Sequence, residues 1–115
     1  MAVPILRQGP WVIASVQSAL TDEELVELRQ DLAVRAGVPG TRAVIVDVSL
    51  LDVVDSYAAR TLSSIAQVVR LRGAETVVVG IQPDVALAMS QLGLVLEDAR
   101  TALDLDAAVE MLQGP

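Results

Sequence analysis

No cysteine, histidine, lysine or phenylalanine occurs in the chain, and each absence removes a class of chemistry. Without cysteine there is no disulfide and no thiolate nucleophile. Without histidine the usual general base near neutral pH is missing, and losing both residues removes the common zinc ligand sets. Without lysine a Schiff-base mechanism is impossible. No G-x-G-x-x-G and no P-loop occurs, and the seven glycines are too dispersed to cradle a phosphate. Catalysis would have to rest on carboxylates, Ser, Thr, Arg or Tyr57, so the expectation is a protein that is not an enzyme and uses no cofactor and no metal.

Aromatics are confined to Trp11 and Tyr57, which leaves no stacking platform for single-stranded bases. Fifteen acidic residues against eight arginines give a net charge of -7, which opposes binding to phosphate backbones and anionic lipid. Neither nucleic acid nor a membrane is an expected partner. The longest uncharged stretch, Gln8 to Thr21, is interrupted by polar residues and falls short of the roughly 20 apolar residues that cross a bilayer. Met1 to Leu6 lacks the basic start and separate apolar run of a secretory signal, so the cytoplasm is the expected compartment.

What is present is apolar material: 53% of the 115 residues are hydrophobic, enough to offset chain entropy in one core, and residues 1–115 are read as a single domain. Pro4 to Gln8 and Trp11 to Val16 read as paired strands around a Gly9-Pro10 turn. Thr21 followed by Glu24 forms a capping box, after which Leu25, Leu28, Leu32 and Ala36 fall on one helical face and Gly37 and Pro39 close the helix. Arg42 to Val48 contains a near-continuous β-branched run, the mark of a strand buried on both faces. A helix opening at Ser56 carries Ala58, Leu62, Ile65 and Val69 on one side and closes at Gly73.

The alternation continues with a strand at Thr76 to Ile81 and a helix begun by Pro83, with Val85, Ala88, Met89 and Leu92 as its apolar stripe and Gly93 as its end. A short strand is expected at Leu94 to Glu97, then a helix capped by Asp104 with Leu105, Ala108, Val109 and Leu112 inward. Such alternation defines an α/β fold of four to five strands and about four helices, with parallel pairing at the sheet's centre. Trp11 and Met89 read as core, and Gly80 as a place of close backbone approach.

The most informative segment is L-L-D-V-V-D-S-Y-A-A-R, residues 50–60, between the carboxyl end of the central strand and the next helix. In open α/β sheets that rim is where ligands and partners bind. Ser56 admits two readings. As helix N-cap its hydroxyl would accept a backbone N–H, a contribution of about 1 kcal/mol. As a phosphoacceptor it would bring about -2 charge to a helix start beside Asp52 and Asp55, changing the surface while the fold survives. Asp55 complements the helix dipole, Asp52 is solvated or a contact, Tyr57 packs inward or anchors an interface, and Arg60 is placed to pair with Asp55 or Asp52.

Together V-V-D-S-Y-A-A-R-T-L (53–62), G-A-E-T-V-V-V-G-I-Q-P-D-V-A (73–86) and L-G-L (92–94) resemble the STAS family, over essentially the whole chain. Within it the D-S-aromatic triplet, here Asp55, Ser56 and Tyr57, is similar to that of RsbS-type stressosome antagonists. Simple anti-sigma factor antagonists of the family show D-S-S-G or D-S-T-G, where Tyr57 and Ala58 stand here. The resemblance implies a mixed sheet with packed helices, and Ser56 as the residue phosphorylated by an RsbT-type serine/threonine switch kinase. It also implies co-assembly with RsbR-type STAS paralogues in homo- and hetero-oligomers, with kinase release on phosphorylation. The expected partner surface is Asp52, Val53, Val54, Asp55, Tyr57 and Arg60. The alternatives are an antagonist that binds an anti-sigma kinase directly, outside any large complex, or a nucleotide- or lipid-binding module of the same fold.

Overall fold

The computed structural model describes residues 3–114. Its elements follow the order β1 (Ile5–Gln8), β2 (Trp11–Ser15), α1 (Asp22–Ala36), β3 (Ala43–Asp47), α2 (Ser56–Leu71), β4 (Glu75–Val79), α3 (Pro83–Gln91), β5 (Ala99–Ala102) and α4 (Leu105–Gln113). The strands form one mixed sheet in chain order, β1-β2-β3-β4-β5, with β1 antiparallel to β2 and the rest parallel. Since each new parallel strand is added at the same growing edge, right-handed crossovers carry the intervening helices to one face. That face holds α1, α2 and α3, while α4 returns to cover the other.

Period-2 alternation divides the central strands between two cores. Val12, Ala14, Val44, Val46 and Val78 point to α1 and α2, where they meet Leu28, Leu32, Ile65 and Val69. Trp11, Ile13, Ile45, Val77 and Val79 point to α4 and meet Ala108 and Leu112. β3 is flanked by strands on both sides and its four apolar residues are buried, as its unbroken β-branched run requires.

The capping box forms as its spacing dictates: Thr21 Oγ1 accepts from the Glu24 backbone N–H, and Glu24 accepts from that of Thr21. Leu25, Leu28, Leu32 and Ala36 are the buried face of α1. At the far end of α2 the N–H of Gly73 bonds to Arg70 O and that of Ala74 to Val69 O, a closure that requires the left-handed φ of +91° at Gly73. Asp104 caps α4 by accepting from the Ala107 N–H at 2.8 Å. Among the described residues no helix is long and apolar enough to cross a membrane.

Two expectations are corrected. The last strand lies at Ala99–Ala102, not at Leu94 to Glu97. The Leu94 N–H turns back to Met89 O at 2.8 Å to close α3, and Leu94 and Leu96 pack beside that helix, so this apolar run is consumed as a helix exit. The strand itself is a polar edge, held across the sheet by Arg100 paired with Glu75 at 3.1 Å. The stripe of α3 is also narrower than its spacing predicts: Val85 and Met89 are buried, whereas Ala88 is exposed and Leu92 is 68% exposed. A nine-residue helix resting on neighbours along one side covers only one line of side chains.

Thr76 on β4 is 1% exposed, and among the described residues its Oγ1 has no hydrogen-bond partner. A buried hydroxyl without a partner carries its desolvation cost uncompensated. Thr76→Val keeps the shape and removes the polar atom, so it should stabilise the fold by about 1 kcal/mol, read as a higher urea midpoint with an unchanged slope.

Candidate functional site

The parallel strands end in register, with Ser15, Asp47 and Val79 side by side and Ala102 opposite Val79. The connection from β3 to α2 leaves from this row. Its first step is a tight turn in which Asp47 Oδ1 accepts from the Ser49 N–H at 2.9 Å and Val48 O accepts from that of Leu51 at 3.0 Å. Gln82, just before α3, donates its side-chain N–H to Ser49 O at 2.9 Å. Gly80, at the end of β4, has φ +78°, and a Cβ there would stand 2.6 Å from the Ser49 Cβ. The chain therefore crosses over β4 at a distance that only glycine permits.

Val54 is the second fixed point. It is 7% exposed and packs with Ala59, Val85 and Met89, so it is turned away from solvent, against the expectation that it faces a partner. Val53, one residue earlier and 70% exposed, takes the outward position. With Val54 anchored, Asp55 arrives at the start of α2 and accepts from the Ala58 N–H at 2.8 Å. Asp55 is thus the N-cap, and Ser56 is the first residue of the helix. The reading of Ser56 as the cap is overturned, because the residue with extended φ and ψ and a side chain reaching the third helical N–H is Asp55.

Ser56 is exposed, with no hydrogen bond from its hydroxyl to a described residue. Helix geometry leaves the N–H groups of Ser56 and Tyr57 without intrahelical acceptors, so the positive end of α2 lies beside that hydroxyl. Asp52 is exposed, and Tyr57 is 37% exposed, its carbonyl accepting from the buried Thr61 hydroxyl at 2.9 Å. Arg60 pairs with neither Asp52 nor Asp55, because it lies on the side of α2 that borders a groove with Ser63, Gln67 and Val95. The rim thus brings together Asp52, Val53, Asp55, Ser56 and Tyr57, turns Val54 inward and sets Arg60 apart.

Sequence reasoning missed the residues that hold this rim, Asp47, Ser49 and Gln82, and an apolar cavity beside it that borders Asp55 and Ala58. The signal for Gln82 was the I-Q-P block, read for resemblance and not for geometry. Among the described residues no group of three or more carboxylates converges as a metal site.

The family model for the STAS domain matches residues 3–108. Among solved structures, a serine-to-glutamate variant of RsbS from Moorella thermoacetica is 28% identical, covering 96% of this chain and 94% of that one with a TM-score of 0.81. A chain from the molecular architecture of the stressosome, described as a signal integration and transduction hub, is also 28% identical, covering 96% of each chain with a TM-score of 0.75. The anti-sigma factor antagonist SpoIIAA in its unphosphorylated form is 10% identical over 99% of this chain and all of that one, with a TM-score of 0.73, a likeness of fold. No curated protein matches the chain by sequence.

The crossing at Gly80 separates two costs that glycine substitutions usually mix. At Gly73 a Cβ meets open space, so Gly73→Ala should cost about 1 kcal/mol for the left-handed backbone alone. Gly80→Ala adds a collision with Ser49 and should cost more than about 2 kcal/mol, with amide shifts from Val48 to Ala58 displaced in any population that still folds. Equal melting temperatures for the two variants would show that the crossing is not tight.

Proposed function

The chain belongs to the STAS domain family, and on that premise we propose that it is a non-enzymatic antagonist that holds an RsbT-type serine/threonine switch kinase and releases it when Ser56 is phosphorylated. The observation that carries this reading is the position of Ser56: an exposed hydroxyl, relieved of capping by Asp55, at the first residue of a helix on the sheet's rim. A capping serine would have its oxygen committed to a backbone N–H, whereas this one can approach a nucleotide. The likeness to RsbS and to the stressosome chain supports a regulatory role in such an assembly.

The chemistry of the switch follows from charge. Transfer of a phosphoryl group adds about -1.5 to -2 at Ser56. The unpaired N–H groups at the start of α2 tolerate that charge, so the fold is retained. Outside the helix the new phosphate stands next to Asp55 and near Asp52, and faces the nucleoside diphosphate still held by the kinase. Both surroundings are negative, and repulsion favours separation. Asp52, Val53, Asp55 and Tyr57 form the contact, with Arg60 at its margin. RsbR-type paralogues dock elsewhere, since exposed apolar residues such as Leu71, Leu87 and Leu103 lie outside the 52–60 segment.

Incubation with the cognate kinase and Mg-ATP, followed by intact mass and phosphopeptide mapping, tests the assignment. A single phosphate on Ser56 is expected, and dominant modification at Thr61, Ser63 or Ser64 overturns it. Ser56→Ala should keep the kinase bound after ATP is added, while Ser56→Asp should weaken the complex by roughly tenfold or more. Co-expression with a folded paralogue should give a large mixed assembly by light scattering; a persistent monomer or dimer would instead favour direct binding of an anti-sigma kinase.

A further inference from the structure

Between the N-terminal halves of α1 and α2, above the ends of β2 and β3, lies a cavity of about 100 Å³. Val16, Leu20, Leu25, Val48, Leu51 and Leu62 form much of its wall, and Val53, Asp55 and Ala58 stand at the side nearest Ser56. Most of the wall is aliphatic and offers water little to bond; Asp55 at its edge uses Oδ1 to accept from the Ala58 N–H, which leaves Oδ2 able to accept from a second donor. An apolar hollow of this kind forfeits dispersion contacts until an apolar group fills it.

The surroundings of the cavity have one sign. Segments 16–28 and 48–58, which frame it, contain no basic residue, while Asp22 and Glu23 open α1 and Asp52 and Asp55 precede α2. The nearest arginines are committed elsewhere: Arg29 donates to Ser64 Oγ at 3.2 Å further along the two helices, and Arg60 faces the groove on the other side of α2. An apolar socket with Asp55 at its edge, Asp52 three residues earlier in the same connection and no base in its framing segments complements an apolar side chain flanked by a base.

Building on the kinase-holding role above, we propose that this cavity receives a leucine-, methionine- or phenylalanine-class side chain of the kinase, with an adjacent Arg or Lys of the kinase meeting Asp52 and Asp55. The anchor is distinct from the phosphorylation switch. It supplies affinity and register, presenting Ser56 to the nucleotide, whereas the phosphate supplies the repulsion that ends the complex.

Titration of the kinase against the full chain at low and high salt, with light scattering of each variant alone, tests the assignment. Ala58→Leu fills the cavity from α2, and Ala19→Leu fills it from the exposed loop before α1, outside any helix or strand. Both should bind the kinase at least roughly tenfold more weakly than the parent while melting no lower. Asp52→Asn should weaken binding and flatten its salt dependence. Parent-like affinity in both filled variants, with Ser56→Asp still weak, overturns the anchor and leaves the kinase reading intact. A parent chain that binds no kinase overturns both. Filled variants that change only the size of the chain's own assemblies would assign the cavity to a second copy and likewise overturn the proposal.

Discussion

The close passage of the β3–α2 connection over the end of β4 is the constraint on which the rim depends. It is made by an atom that is missing, the Cβ of Gly80, and by one side-chain bond, Gln82 to the carbonyl of Ser49. Lifting the connection by the width of a methyl group would pull Val54 from its place among Ala59, Val85 and Met89. Asp55 would then lose the geometry that lets it reach the Ala58 N–H, and α2 would start without its cap. The direction in which Ser56 is presented is therefore decided at β4, a strand that contributes no exposed residue to the rim.

In the proposed switch Asp55 and Ser56 divide two tasks that one serine could not perform together. A hydroxyl that satisfies a helix donor is committed, and modifying it would cost the helix its cap. With the carboxylate of Asp55 as the cap, the neighbouring hydroxyl can change charge while helix initiation is preserved. The arrangement also keeps a negative charge beside the Ser56 hydroxyl, so the phosphate proposed there would deepen an existing potential instead of reversing one. A partner that relies on that potential for steering would retain its approach and lose its fit at the nucleotide.

Charge across the molecule follows its helices. Asp22, Glu23 and Glu24 start α1, Asp55 caps α2, Asp84 lies in the first turn of α3, and Asp104 and Asp106 start α4. Arg35 and Arg70 lie in the last turns of α1 and α2. Each placement favours its own helix dipole. Because α1, α2 and α3 each start from the carboxyl end of a parallel strand, these local preferences place carboxylates from three crossover helices along that rim, while those of α4 open a helix on the opposite face.

Much of this architecture was legible in the sequence because it rests on local rules. The β-branched run of β3 determined a strand buried on both faces, and the spacing of Leu25, Leu28, Leu32 and Ala36 determined the inner face of α1. Thr21 with Glu24 and Asp104 with its following helix announced their caps through spacing alone. Segment 50–60 stood out as the connection that carries the candidate site, and its motif made Ser56 the candidate phosphoacceptor. Tertiary structure decided what those rules leave degenerate. Asp55 and Ser56 are both good caps, and only the anchoring of Val54 against α3 selects the first. Leu94 to Leu96 has the composition of a strand, but its backbone is taken by the exit of α3, leaving a polar edge to pair with β4. The cavity joins Val16, Leu25, Val48 and Leu62, residues far apart in the chain that meet only when two crossovers fold to the same face. Periodicity assigns a side chain to the interior, whereas whether that interior is filled depends on how separate segments pack, a non-local quantity that no window of sequence contains.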